Sequence, residues 1–150
     1  MTNIQAAIGL AQVENGEKLV KMRRRNAMRY NKYLSNVPGI VLPPEEPWAK
    51  NVYWMYGILV EPKEFGMTMP ELRKALLEKG IDTRTFFIPM HQQPVFKKKD
   101  PRFPETRGEY PVANELARKG FYLPSSSTLK KSQIKYVVRM IKEIQELKNI

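Results

Sequence analysis

The feature that most constrains this chain is its first helix, which is too long for the domain that follows it. Thr2 and Gln5 form a capping-box signal ahead of an apolar series. Ile4, Ile8, Ala11, Leu19, Met22, Tyr30 and Leu34 then recur at helical spacing. One helix from about Asn3 to Ser35 is expected, about 50 Å long at the α-helical rise per residue. A small two-layer domain cannot cover that length. The first turns carry Ala6, Ala7, Gly9 and Ala11, small residues suited to a closely packed neighbour. A packing partner beyond these 150 residues is therefore expected.

Downstream, Val37-Pro38-Gly39 ends the helix, because proline cannot continue it and glycine turns freely. Ile40 to Leu42 reads as a short strand, and Pro43, Pro44 and Pro47 mark a loop. Val52 to Val60 is aromatic and β-branched, the composition of a central strand. Thr68 and Glu71 make a second capping box with Pro70 in the first turn, and Gly80 stops that helix. Ile81 to Phe87 reads as a strand and Pro94 to Glu109 as a mobile loop. Pro111 to Lys119 reads as a short helix and Phe121 to Leu123 as a short strand. Leu129 to Leu147 is an amphipathic helix with Ile134, Val137, Val138, Ile141 and Ile144 on one face. The alternation gives a two-layer α/β module over 36–150, preceded by the long helix over 1–35.

Composition narrows the chemistry. A hydrophobic fraction of 42% suffices for a core. With no cysteine and one histidine, His91, neither a disulfide framework nor a thiolate or His-rich metal site is expected. The N-terminus shows no basic leader, and no apolar run approaches the roughly 18 residues of a membrane span. A soluble, cytoplasmic protein is expected. The net charge of +11 suits nucleic acid, an anionic membrane surface or phosphorylated small molecules. It equally suits a domain whose partner segment is acidic.

The stretch Thr83 to Pro94 carries the densest chemistry. It sets Arg84, Phe86, Phe87 and His91 where a strand runs into a loop, a common place for ligand groups in α/β folds. Arg84 can pair with a phosphate, and His91 can hydrogen-bond a substrate oxygen or move a proton. The plainer alternative makes Phe86 and Phe87 core residues, Arg84 a surface ion pair and His91 a satisfied loop residue. The run Lys21, Arg23, Arg24, Arg25 and Arg29 spreads around more than one helical face and carries no nucleic-acid-binding signature, so it reads as a solvated surface. Lys97, Lys98 and Lys99 are solvated or attract an anionic substrate. No nucleophile elbow, phosphate-binding glycine loop or distinctive carboxylate pair is present.

Four stretches together resemble the DegT/StrS family of sugar aminotransferases: Met1 to Gln12, the Arg23-Arg24-Arg25 run with Tyr30, Arg84 to Pro94, and Tyr110 to Leu116 followed by Leu123-Pro124-Ser125. The resemblance implies an aspartate-aminotransferase-like (fold type I) enzyme, usually a homodimer. It implies transfer of an amino group, typically from glutamate, to a nucleotide-linked keto sugar through pyridoxal phosphate. These residues match the C-terminal portion of such enzymes, so the Schiff-base lysine and the family's Asn-Tyr-Arg stretch are expected upstream of residue 1. The chain alone is then expected to be inactive and not to bind the cofactor, and its partner is the large domain or a split partner chain. The same resemblance puts Arg84, Phe86, Phe87 and His91 near the sugar. Lys130 departs from the family, which often has a hydroxyl or acid capping the last helix. A non-catalytic binding or regulatory module with a basic surface is the alternative, and nucleic-acid binding a weaker one.

Overall fold

Both capping boxes form. In the computed structural model, which describes residues 1–97, 102, 105, 106 and 108–147, the Thr2 amide donates to Gln5 Oε1 at 2.8 Å. The Thr68 amide donates to Glu71 Oε2 at 2.7 Å. The first box opens α1 (Asn3–Glu14), and α2 (Gly16–Leu34) follows after a one-residue break. The single helix expected over 1–35 is thus two helices. At Asn15 the side-chain amide turns back to donate to the Ala11 carbonyl at 2.8 Å, competing with the helical ladder. Gly16 next to it gives the ladder little help, as a poor helix former. No residue of α1 is buried, whereas α2 buries Asn26, Ala27, Tyr30 and Leu34.

The sheet has four strands in the order β1-β2-β4-β3, all antiparallel. They are β1 (Ile40–Val41), β2 (Tyr56–Val60), β3 (Arg84–Thr85) and β4 (Gly120–Leu123). Between β2 and β3 run a short turn of helix, α3 (Pro62–Phe65), and α4 (Met69–Glu78). Between β3 and β4 lie α5 (Pro94–Lys97) and α6 (Pro111–Lys119), and α7 (Lys131–Glu146) closes the chain. Strand alternation sends Tyr56, Ile58, Val60, Phe121 and Leu123 into the core. There they meet Tyr30 and Leu34 of α2, Leu72 and Leu76 of α4, and Ile134, Val137 and Ile141 of α7. One sheet and one helix layer make the two-layer α/β module.

Buried polar groups are satisfied. Tyr30 OH donates to the Pro124 carbonyl at 2.9 Å and Tyr56 OH to Asn31 Oδ1 at 2.6 Å. Burial pushes both phenols above their ordinary range. Asn26 Nδ2 reaches the Ser126 carbonyl at 3.1 Å and Gln145 Nε2 the Pro38 carbonyl at 2.6 Å.

Two expected strands are shorter than the apolar runs that suggested them. The Val52–Val60 run becomes a strand only from Tyr56, because Tyr53 takes a left-handed φ of 49°. Of Ile81–Phe87 only Arg84 and Thr85 pair, against Tyr122 and Phe121, with the Phe86 amide donating once more to the Gly120 carbonyl at 3.2 Å. Part of the expected Pro94–Glu109 loop is the helical turn α5, and Lys98 and Lys99 lie outside the described residues. The last helix starts at Lys131. Lys130 stands at its N-cap and offers no side-chain acceptor, so Gln133 Oε1 accepts from the Lys130 amide at 2.8 Å. Among the described residues no helix is long and apolar enough to cross a membrane.

Candidate functional site

The end of β3 is fixed from below by α4. Arg73 donates from Nε to Thr83 Oγ1 at 3.1 Å and from Nη2 to the Thr83 carbonyl at 2.8 Å. Arg84 follows, exposed at the sheet edge. Its guanidinium lies 5.3 Å from the Phe87 ring centre, a cation–π contact, and it makes no ion pair among the described residues.

Phe86 and Phe87 play different parts. Phe86 packs on Tyr122, ring centres 4.6 Å apart, across two glycines of the central strands. A Cβ at Gly57 would stand 2.8 Å from Phe86 Cε1, and one at Gly120 would stand 2.3 Å from Phe86 Cδ2. The ring therefore occupies space that only glycine leaves open. Phe87 points outward, 53% exposed, with its ring 6.4 Å from that of Trp54 and only 10° from parallel.

His91 sits on a single 3-10 turn, Met90–Gln92. Its Nε2 lies 2.8 Å from Asn114 Oδ1, which also accepts from Gln92 Nε2 at 2.6 Å. In a neutral ring, an oxygen facing Nε2 favours the tautomer with its proton there, which makes Nδ1 an acceptor. The imidazole stacks on Tyr110 at 4.3 Å. Asn114 belongs to α6, which is tied to the sheet by Lys119. That ammonium bonds both Glu61 oxygens, at 2.8 and 2.7 Å, and also Glu115. These bonds, Glu115 first, hold Lys119 above its ordinary value, and Lys119 holds the Glu115 carboxyl below the usual carboxylate range.

A third group of contacts shapes the turn before β2. Arg24 pairs with Glu45 and donates to the Asn51 carbonyl. Glu45 also accepts from the Asn51 amide at 3.0 Å and the Tyr53 hydroxyl at 3.3 Å. The Tyr53 amide donates to Asn51 Oδ1 at 2.8 Å. Arg23 reaches from α2 to the Trp54 carbonyl at 2.6 Å. Two members of the basic run are thus structural clamps, where the sequence suggested only a solvated surface.

Arg84, Phe86 and Phe87 come together, joined by Trp54 and Tyr122, while His91 lies in its own cluster with Asn114 and Tyr110. Sequence reasoning gave no role to Trp54 or Asn114. Trp54 was hidden in the aromatic run read as core strand, and its signal is visible only once Tyr53 is seen to interrupt that strand.

The described residues do not fit the amine-bearing role of a pyridoxal phosphate site. A Schiff-base lysine needs a desolvated amine with a depressed pKa. Lys119 is the one described lysine whose side chain is largely covered, 11% exposed, and its two carboxylates shift it the opposite way. Every other described lysine is exposed. The Arg84 cluster instead offers a guanidinium with no ion pair among the described residues beside flat aromatic rings, and the His91 imidazole stands apart from it.

Residues 1–142 match the DegT/DnrJ/EryC1/StrS aminotransferase family. The chain is similar to GDP-perosamine synthase of Escherichia coli O157:H7, 34% identical over 143 residues that cover 95% of this chain and 36% of that protein. It is similar to EpsN of Bacillus subtilis (strain 168), provisionally named a pyridoxal phosphate-dependent aminotransferase, at 27% identity over 94% of this chain and 35% of EpsN. Among solved structures, S. venezuelae DesV in complex with a ketimine intermediate superposes with a TM-score of 0.81 at 29% identity, over 95% of this chain and 36% of DesV. The chain spans about 36% of the length of the first of these relatives.

Proposed function

The chain belongs to the DegT/DnrJ/EryC1/StrS aminotransferase family, and from that membership we propose that it is the small domain of a cytoplasmic, homodimeric enzyme that moves an amino group from glutamate to a nucleotide-linked keto sugar. Its fold is that of the small α/β domain of fold type I pyridoxal-phosphate aminotransferases. The cofactor would supply the amino-group chemistry from a lysine carried outside these residues, so the chain alone would not catalyse the transfer. Arg84 would bind the anionic part of the sugar nucleotide, with Phe87 beside it and Phe86 setting the height of that pair. His91 would hydrogen-bond a sugar oxygen through Nδ1. The carrying observation is Arg84: an exposed guanidinium, without a carboxylate partner among the described residues, fixed over an aromatic ring at a strand end.

A chimaera tests the proposal. This chain replaces the matching 36% of E. coli GDP-perosamine synthase, and formation of GDP-perosamine and the glutamate half-reaction are measured separately. Activity in both is expected. Arg84→Ala should lower the sugar half-reaction about ten- to a hundredfold, the worth of one charged hydrogen bond, and leave the glutamate half-reaction intact. A folded chimaera that accepts amino groups from glutamate but aminates no keto sugar would refute the proposal. For the chain alone, borohydride reduction after adding pyridoxal phosphate should leave no stoichiometric adduct in the mass spectrum, and one modified lysine would contradict that part.

A further inference from the structure

We propose that Trp54 is the base-stacking residue of a nucleoside-diphosphate subsite, with the base lying against Trp54 beside Phe87 and the diphosphate reaching Arg84. This deepens the nucleotide-sugar reading above and rests on it. Three observations carry it.

The first is the effort spent on holding Trp54 outward. Residue Tyr53 adopts φ 49°, a left-handed conformation that a bulky L-residue rarely takes. A strained residue persists only where its surroundings over-determine it, and such residues gather at ligand sites. Here the surroundings are specific: Asn51 Oδ1 on the Tyr53 amide, Glu45 and Arg24 behind the turn, and Arg23 on the Trp54 carbonyl. The result is a tryptophan 62% exposed, carried on a hydrogen-bonded turn.

The second is the alignment. Trp54 and Phe87 lie within 10° of parallel, and the Arg84 guanidinium stands over Phe87. Phe87 thus has a parallel ring at 6.4 Å and a guanidinium at 5.3 Å from its centre. A nucleoside diphosphate has matching parts, a flat base at one end and an anion at the other. Bases stack on aromatic side chains whatever their hydrogen-bonding pattern, and arginine pairs with phosphate through a planar fork.

The third is a contrast within the same molecule. Trp48 is 85% exposed and makes no ring contact among the described residues. It provides an internal control.

The test uses the 150-residue chain and GDP as probe. With Trp48→Phe, the remaining indole reports on position 54 alone, and GDP should quench it along a saturable curve. By calorimetry, Trp54→Ala should weaken GDP at least tenfold, Trp54→Phe should keep most of the affinity, and Trp48→Ala should change nothing. Arg84→Ala should weaken GDP and leave guanosine, which has no phosphates, unchanged. Quenching that rises linearly without saturation, equal losses in Trp48→Ala and Trp54→Ala, or no heat and no quenching at millimolar GDP would each overturn the assignment. The chimaera separates this from the function itself. If it makes GDP-perosamine while Trp54→Ala leaves its KM unchanged, the subsite falls and the transamination stands. If GDP binds at Trp54 but the chimaera aminates nothing, the reverse holds.

Discussion

Alanine at Gly57 and alanine at Gly120 should both disturb Phe86, but to different degrees. At Gly57 the new Cβ meets only ring atoms, Phe86 Cε1 at 2.8 Å, Phe86 Cζ at 2.9 Å and Tyr122 Cε1 at 3.2 Å. A ring edge can swing. Overpacking of this kind costs about 1–3 kcal/mol, and removing a strand-interior glycine returns about 0.5–1 kcal/mol. The net is roughly 0–2.5 kcal/mol, and at about 2–4 °C per kcal/mol for a chain of this size Tm should fall by no more than about 10 °C. At Gly120 the Cβ stands 2.3 and 2.4 Å from Phe86 and also 2.6 Å from the Leu116 carbonyl oxygen. The backbone oxygen that ends α6 cannot swing, so the cost should reach the top of that range, about 3 kcal/mol or more. Urea unfolding followed by far-UV circular dichroism measures both. Phe86→Leu serves as the second site: paired with Gly57→Ala it should recover about 1 kcal/mol relative to additivity, and paired with Gly120→Ala the backbone clash should remain. Equal destabilisation at the two glycines, or strict additivity with Phe86→Leu at Gly57, would refute the account of the notch that seats Phe86.

Nitrogen-15 spectra of His91, the only histidine, should show the Nε2–H tautomer, and Asn114→Leu should lose it along with about 0.5–1.5 kcal/mol of stability; an Nδ1–H tautomer in the unaltered chain would contradict the contact. The Arg24 hydrogen bond holds the Glu45 carboxyl below its ordinary value of 4.5. The stability Glu45 contributes is therefore fully present above that value and lost as pH falls through the lower, folded-state value. Acid titration followed by Trp54 emission in a Trp48→Phe background should show this loss, and Glu45→Gln should flatten it. Gly9→Ala places a Cβ that meets nothing within 4 Å, so it should add about 1 kcal/mol of helix propensity to α1 while leaving the main unfolding midpoint where it was.

Much of the architecture was legible because it depends on local rules. The capping boxes at Thr2 and Thr68 and the apolar face of α7 follow from spacing alone, and each forms. The break at Asn15 is less legible, since apolar spacing continues across it and only the Asn-Gly pair hints at a stop. The strand ends at Tyr56 and Thr85 depend on partners: β3 can pair only as far as the short β4 allows. The site was half legible. Arg84 and Phe87 stood out as an unusual cluster, whereas Trp54 lies thirty residues earlier in a run whose composition says core. Its outward turn comes from contacts with Arg23, Arg24 and Glu45, which are distant in sequence and invisible to periodicity.

A helix with no buried residue behaves differently from the rest of the molecule when heated. The twelve residues of α1 are near the length at which an isolated helix is marginal in water, and Asn15 breaks the ladder that would couple them to α2. In this chain α1 is therefore its own cooperative unit, governed by helix–coil balance and indifferent to core packing. Ellipticity at 222 nm should drift with temperature well before the sheet lets go. Near-UV signals from Tyr30 and Tyr56 should stay flat until a single sharp step. Amides of α1 should exchange at nearly free rates while those of α7 wait for global opening. The chain would then have two melting processes, a gradual one belonging to its first helix and an all-or-none one belonging to its core.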